Sequence, residues 1–212
     1  MGEKENKQMA SSLARRGYAG PRVAKAMEKI DRGLFTPIAH RPLSYVDSPL
    51  PIGYGQTITA PSIVAVMTTR LEVEKGMRVL EVGTGSGYQC ALLAELVGPK
   101  GKVVTVERVP ELLEKAREKI SSLGYGNVEF VCSDGSAGYS ELAPYDRVMV
   151  TAAAPRIPLE LEKQLKEGGV MVIPVGGRFY QSLIVAKKKG GELVKENVLP
   201  VLFVPLIGED GF

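Results

Sequence analysis

The sequence predicts an α/β fold, a doubly wound parallel sheet, and three observations carry that prediction. From Met77 onward, short β-branched runs alternate with helical patterns: RVLEV then YQCALLAELV, KVVTVE then PELLEKAREKISSL, NVEFVC then DRVMVT, PLELEKQL then GGVMVIPV. Such alternation belongs to parallel strands joined by crossover helices on both faces. The first of these strands, Arg78–Val82, runs directly into a glycine-rich turn and a helix. Finally, 212 residues at 44% hydrophobic and 24% charged are enough to bury a core without disulfides or metal.

The elements follow in order. Val23, Met27, Ile30 and Leu34 recur at helical spacing after Pro21, so a helical extension is expected to about Asp47. The stretch PLPIGYGQTITAP, residues 49–61, carries prolines and glycines that break regular structure, and it reads as an irregular loop. Ser62 then reads as the N-cap of a helix through Ile63, Val64, Met67 and Leu71, ending before Gly76. After the alternating core, YQSLIVAKK and VKENVLPVLFVPLIG predict further strands, the first pair joined antiparallel through the Gly-Gly turn of KKGGEL. One domain results: a helical extension and loop (1–76), a core (77–176) and C-terminal strands (177–212).

Charge and composition narrow the function. Lys plus Arg number 27 and Asp plus Glu 24, a net charge of +3 spread along the chain, so no nucleic-acid partner is expected. Cys90 and Cys132 sit among apolar neighbours without a Cys-x-x-Cys spacing and read as buried packing thiols of a reducing compartment. No window approaches the roughly 18 apolar residues of a membrane span, and the N-terminus has no apolar leader segment. A cytoplasmic protein without membrane partner and without metal is expected. The single histidine, His40, has no acid or nucleophile near it in sequence and reads as structural or superficial.

The chemistry concentrates at the ends of the predicted strands. The turn Glu81-Val-Gly83-Thr84-Gly85-Ser86-Gly87 leads from strand to helix, where glycine supplies positive φ and lets a ligand approach the backbone. The helix start offers free N–H groups. Tyr88 stands where the third glycine of a dinucleotide fingerprint would be, which weakens an NAD reading. Glu81 can anchor the loop or reach an amino group of the ligand. Glu107 ends the second strand, twenty residues after Gly87, where a carboxylate can accept from both ribose hydroxyls. Asp134 and Gly135 follow the third strand, with Asp134 placed to accept from an adenine amine.

The glycine turn with acids at the next two strand ends resembles the S-adenosylmethionine-dependent methyltransferases of Rossmann-like fold. PLPIGYGQTITAP, EVGTGSGYQCALLAEL, APYDRVMVTAAAPRIP and FVPLIG, in that order along the chain, narrow the resemblance to the protein-L-isoaspartate O-methyltransferase family. The resemblance implies transfer of a methyl group from S-adenosylmethionine to the free α-carboxylate of isoaspartyl residues in damaged proteins and peptides, leaving S-adenosylhomocysteine. It implies Thr59 as the active-site hydroxyl, where many relatives carry serine. Gln56, Thr57, Ile58 and Ala60, with Val204, Pro205 and Leu206, would line the substrate groove. Ser62 stands where the family often has histidine, so a cofactor contact from that position does not carry over.

The chemistry suits such a reaction. A carboxylate with a reference pKa of about 3–4 is already ionised at neutral pH, so the nucleophile needs no general base. Alignment in a site that sheds water would carry the rate. TAAAP, residues 151–155, replaces the motif that holds a planar base in amino methyltransferases acting on nucleic acid. The alternatives are a methyltransferase acting on nucleic acid or a small molecule, an NAD-dependent oxidoreductase and a binding module without turnover.

Overall fold

A computed structural model describes residues 2–212. The extension begins with α1 (Gly2–Arg15) and α2 (Pro21–Lys29). Despite its charged composition α1 is amphipathic, burying Met9, Ala10 and Leu13 on one stripe. The stripe expected after Pro21 is shorter than its spacing suggested. Val23, Met27 and Ile30 are buried, but α2 stops at Lys29 and Leu34 is exposed. Asn6 on α1 supplies the reason. Its Nδ2 donates to the carbonyls of Met27 (2.8 Å), Glu28 (3.2 Å) and Ile30 (3.3 Å), and its Oδ1 accepts the Arg32 N–H at 3.2 Å. The free carbonyls at the end of α2 are thereby satisfied and the chain turns away.

Residues 49–61 are not an irregular loop. β1 (Leu50–Gly53) and β2 (Gln56–Ile58) form an antiparallel ribbon. Tyr54 and Gly55 between them have φ of 54° and 70°, the pair of positive angles that a type I′ turn requires. Pro51 is tolerated because a two-stranded ribbon leaves half of its N–H positions unpaired, and the register slips beside it. Helix α3 (Pro61–Arg70) follows, with Pro61 in the first turn and Ala60 at the cap position. Ser62 therefore lies inside the first turn rather than capping it. Its own N–H donates to Asp47 Oδ1 at 2.9 Å, so the cap arrives from outside the helix.

The core strands are β3 (Arg78–Val82), β4 (Lys102–Glu107), β5 (Val128–Cys132), β6 (Tyr145–Val150) and β7 (Leu165–Gly176). Crossover helices α4 (Tyr88–Val97), α5 (Pro110–Ser122) and α6 (Leu159–Gln164) connect them. With β8 (Gln181–Lys189) and β9 (Glu192–Val201) they form a seven-stranded sheet ordered β5-β4-β3-β6-β7-β8-β9. The first five strands run parallel; β8 and β9 are antiparallel and turn at Gly190-Gly191, as expected. Alternation along the strands sends Val79, Val103, Met149 and Val172 into a core shared with α1–α4, while Leu80, Val104, Val148 and Met171 enter the opposite core with Leu161 of α6.

Two further expectations change. The last strand ends at Val201 instead of running on to Gly208. Gln181 accepts the Phe203 N–H at 2.6 Å and donates to the Phe203 carbonyl at 3.1 Å, which turns the tail across the sheet edge. There Ala153 donates to the Val204 carbonyl at 2.8 Å and accepts from the Leu206 N–H at 2.7 Å. Cys90 is buried, but Cys132 is exposed because β5 is the edge strand of the sheet. Among the described residues no helix is long and apolar enough to cross a membrane.

Candidate active site

Strand order reverses at β3, whose neighbours are β4 and β6, and in an open parallel sheet such a switch point leaves a crevice at the carboxyl edge. A cleft opens there. Its floor is Val82–Ser86, Val106–Arg108, Gly135, Thr151 and Ala152; Gln56–Thr59 and Val64 form one wall and Val204–Ile207 another.

The glycine turn is fixed from beneath. Gly83, at φ 93°, donates to the Val106 carbonyl at 2.8 Å, and its carbonyl accepts from Thr151 Oγ1 at 2.6 Å. A Cβ there would collide with that hydroxyl, so no other residue fits. Thr84 and Thr105 share a hydroxyl hydrogen bond of 2.6 Å, and Thr105 Oγ1 donates to Glu81 Oε2 at 2.5 Å. Glu81 is fully buried and does not reach the cleft; of its two expected roles, the structure gives it the anchoring of the loop through two hydroxyls. Burial pushes its carboxyl up to about 8, against the opposing pull of the Thr105 hydroxyl and the Cys90 thiol; the nearby Glu107 charge adds to the rise. Gly87 packs rather than lines: a Cβ would press on Ala116 at 3.0 Å and Ile120 at 3.2 Å of α5.

Glu107 faces the cleft at the end of β4, only 7% exposed. It accepts the N–H groups of Gly85 and Val109, each at 3.0 Å, and so binds the glycine turn to the next strand end. Asp134 is turned aside. It accepts from the Ser136 N–H and hydroxyl at 2.8 Å and from the Glu209 N–H at 2.9 Å. Burial would raise its carboxyl, but these hydrogen bonds outweigh it and hold the group below its ordinary range. Its neighbour Gly135 does line the cleft, whereas Ala60 does not.

The ribbon lies over the glycine turn, with Ile52 Cδ1 at 3.6 Å from where a Gly85 Cβ would stand. Thr59 is half-buried, and it shares the cleft with Gly83–Ser86. Helix α3 is held to α4 by Gln89 Nε2, which donates to Thr68 Oγ1 at 3.0 Å. Four polar lining residues escaped the sequence reading: Arg108, Thr151, Tyr88 and Gln89. Arg108 directly follows the acid that ends β4, which was its one available signal. Behind Tyr88 stands the buried Arg32, its guanidinium 5.3 Å from the ring centroid and its Nε donating to the Ser44 carbonyl at 2.8 Å. Burial brings that guanidinium down to about 10.

The residues fit a nucleoside donor. A glycine turn whose backbone lines the cleft at Gly83–Ser86 and a carboxylate at the neighbouring strand end are the parts that such a ligand needs. Fold and cleft together define a Rossmann-like class of open α/β protein, with a ligand crevice at the carboxyl edge of the sheet and an added ribbon beside it. Comparison with known proteins sharpens this. The family model described as protein-L-isoaspartate(D-aspartate) O-methyltransferase matches residues 4–211, and the chain belongs to that family. A protein-L-isoaspartate O-methyltransferase of Ignicoccus hospitalis is 52% identical over 210 residues, covering 98% of this chain and 100% of the relative. A solved protein-L-isoaspartate O-methyltransferase superposes with TM-score 0.87 at 33% identity, over 97% of this chain and 67% of that one. A Plasmodium falciparum structure of the same description, in complex with S-adenosyl-L-homocysteine, gives TM-score 0.86 at 29% identity, over 95% and 98% of the two chains.

Proposed function

We infer that this protein methylates the free α-carboxylate of L-isoaspartyl residues in damaged proteins and peptides, with S-adenosylmethionine as donor. The observation that carries the reading is that the ribbon end Gln56–Thr59 and the glycine turn Gly83–Ser86 face each other across one cleft. When bound, S-adenosylmethionine supplies an electrophilic methyl group on a positively charged sulfur. Gly83–Ser86 would cradle it, and Glu107 would accept from the ribose. Asp134 is proposed for the adenine amine, a role that needs it to exchange the Glu209 N–H for that ligand.

On the acceptor side, Thr59 would donate its hydroxyl to one carboxylate oxygen and leave the other free to attack. A neutral donor orients the anion without quenching its nucleophilicity, as a close cation would. The small side chain of Ala152, beside Val204–Leu206 on the cleft wall, leaves room for substrate backbone. No group here needs to remove a proton, because the nucleophile is ionised at neutral pH. Rate then comes from holding the attacking oxygen and the methyl group in line and from excluding water. Esterification converts a poor oxide leaving group into methoxide, so the adjacent amide nitrogen can attack the ester carbonyl and expel methanol, closing a succinimide whose hydrolysis opens a route back to the normal linkage. Unpaired Cys90 and Cys132 suit a cytoplasmic setting.

The test uses methyl-labelled donor and two peptides identical except for an aspartyl or isoaspartyl linkage, scoring base-labile methyl ester. Labelling confined to the isoaspartyl peptide is expected; equal labelling of both would overturn the reading.

A further inference from the structure

Burial accounts for most large apolar side chains, yet two neighbouring aromatics stand almost wholly in solvent: Phe179 is 84% and Tyr180 89% exposed. They occupy the turn Gly177–Tyr180 between β7 and β8, together with the exposed Arg178, which has no ion-pair partner among the described residues. Because β7 runs parallel to β3 and β6, the turn projects from the same edge of the sheet as the cleft.

The base of the turn is fixed even though its tip is free. Gly176 donates to the Ala154 carbonyl at 2.9 Å, and a Cβ on it would collide with the Tyr180 carbonyl, so the chain doubles back tightly. On the other side Gln181 pairs with Val201 in the ladder and holds both backbone groups of Phe203. Tyr180 and Leu202 each stand one residue beyond that last pair, and Leu202 is itself 73% exposed. From Phe203 the tail continues directly into Val204–Ile207, a wall of the cleft. The exposed turn and the cleft wall thus lie at one edge of the sheet, joined through the Gln181–Phe203 hydrogen bonds.

We propose that Arg178, Phe179 and Tyr180 form an outer subsite for the peptide arm that leaves the cleft over β6 and β7. This rests on the isoaspartyl reading above. β7 lies two strands from β3, about 10 Å at the usual spacing, and an extended peptide covers that distance in about three residues. The subsite would take an apolar side chain about three positions from the isoaspartyl residue, the two aromatics supplying rigid contact area at small entropic cost. Arg178 adds a preference for an acidic neighbour.

The test compares an isoaspartyl tripeptide with a longer isoaspartyl peptide bearing leucine three positions away on each side, on wild type and on the Phe179→Ser/Tyr180→Ser double variant. The expected result is that the longer peptide's advantage in kcat/KM over the tripeptide falls about tenfold, through KM. An unchanged advantage overturns the proposal, including the case in which both peptides lose equally, which would make the turn part of the central site. In a second arm, Arg178→Glu should reverse the preference between aspartate and lysine at that position; an unmoved preference removes Arg178 from the subsite. Failure of the wild type to prefer isoaspartyl over aspartyl peptides would instead strike the underlying functional reading.

Discussion

The two sides of the cleft are built on opposite plans. On the side proposed for the donor, the long-range hydrogen bonds of the glycine turn run down into the sheet: Gly83 with Thr151, Thr84 through Thr105 to Glu81, and Gly85 to Glu107. On the side proposed for the acceptor, a two-stranded ribbon and a chain tail stand on the rim, half in solvent, the ribbon paired only with itself and the tail tied at Gln181 and Ala153. A donor of one fixed shape rewards a rigid seat. A damaged site embedded in arbitrary sequence needs a surface that touches little beyond the carboxylate and the backbone.

That contrast can be broken from either side. The largest effect is expected for Gly83→Ala, which forces a Cβ into Thr151 Oγ1 at a φ of 93°. Both donor binding and fold should suffer, with about 2–4 kcal/mol lost in urea denaturation. If the acceptor side orients by one hydroxyl, Thr59→Val should lower methyl transfer about 100-fold while the donor dissociation constant stays within about twofold. Unchanged turnover would show that the hydroxyl is dispensable. Glu107→Ala should do the reverse, weakening donor binding about tenfold to 100-fold, as read by calorimetry, with a smaller effect on turnover at saturating donor.

A pH dependence sharpens the comparison further. In the unfolded chain Glu81 ionises in the ordinary carboxyl range, whereas in the folded protein burial keeps its proton to about pH 8. The folded state binds the extra proton between these limits, so stability from the neutral carboxyl is present below pH 4.5 and is lost as pH rises towards 8. Relative to Glu81→Gln, which stays neutral, wild type should lose stability across that window with a slope approaching about 1.4 kcal/mol per pH unit. Parallel denaturation curves at both ends of the window would refute it. The smallest effects belong to the rim: Asp47→Ala should cost about 0.5–1 kcal/mol through the lost cap of α3, and Ser62→Ala less than about 0.5 kcal/mol.

The same contrast governed what could be read from sequence. The sheet, its crossover helices and the glycine turn were legible because burial on both faces imposes β-branched runs, and sharp strand-to-helix turns impose glycine. The ribbon was not, since its turn places Tyr54 rather than Asn or Gly at a positive φ and its prolines read as breakers. The true cap of α3 lies fifteen residues upstream at Asp47, beyond any local pattern. Asp134 occupies the expected strand end, yet its carboxylate serves Ser136 and Glu209, a choice made by a tail 75 residues away. Arg108 and Thr151 become visible only once β4 and β6 are set on either side of β3.

Asn6 carries a consequence of its own. A polypeptide begun after this position would lose the four hydrogen bonds that close the end of α2, each worth about 0.5–1.5 kcal/mol. Asn6 is therefore a piece of interior scaffolding carried by an otherwise exposed, charged turn, and trimming the amino terminus through it would injure the enzyme more than trimming an equally charged stretch of its surface.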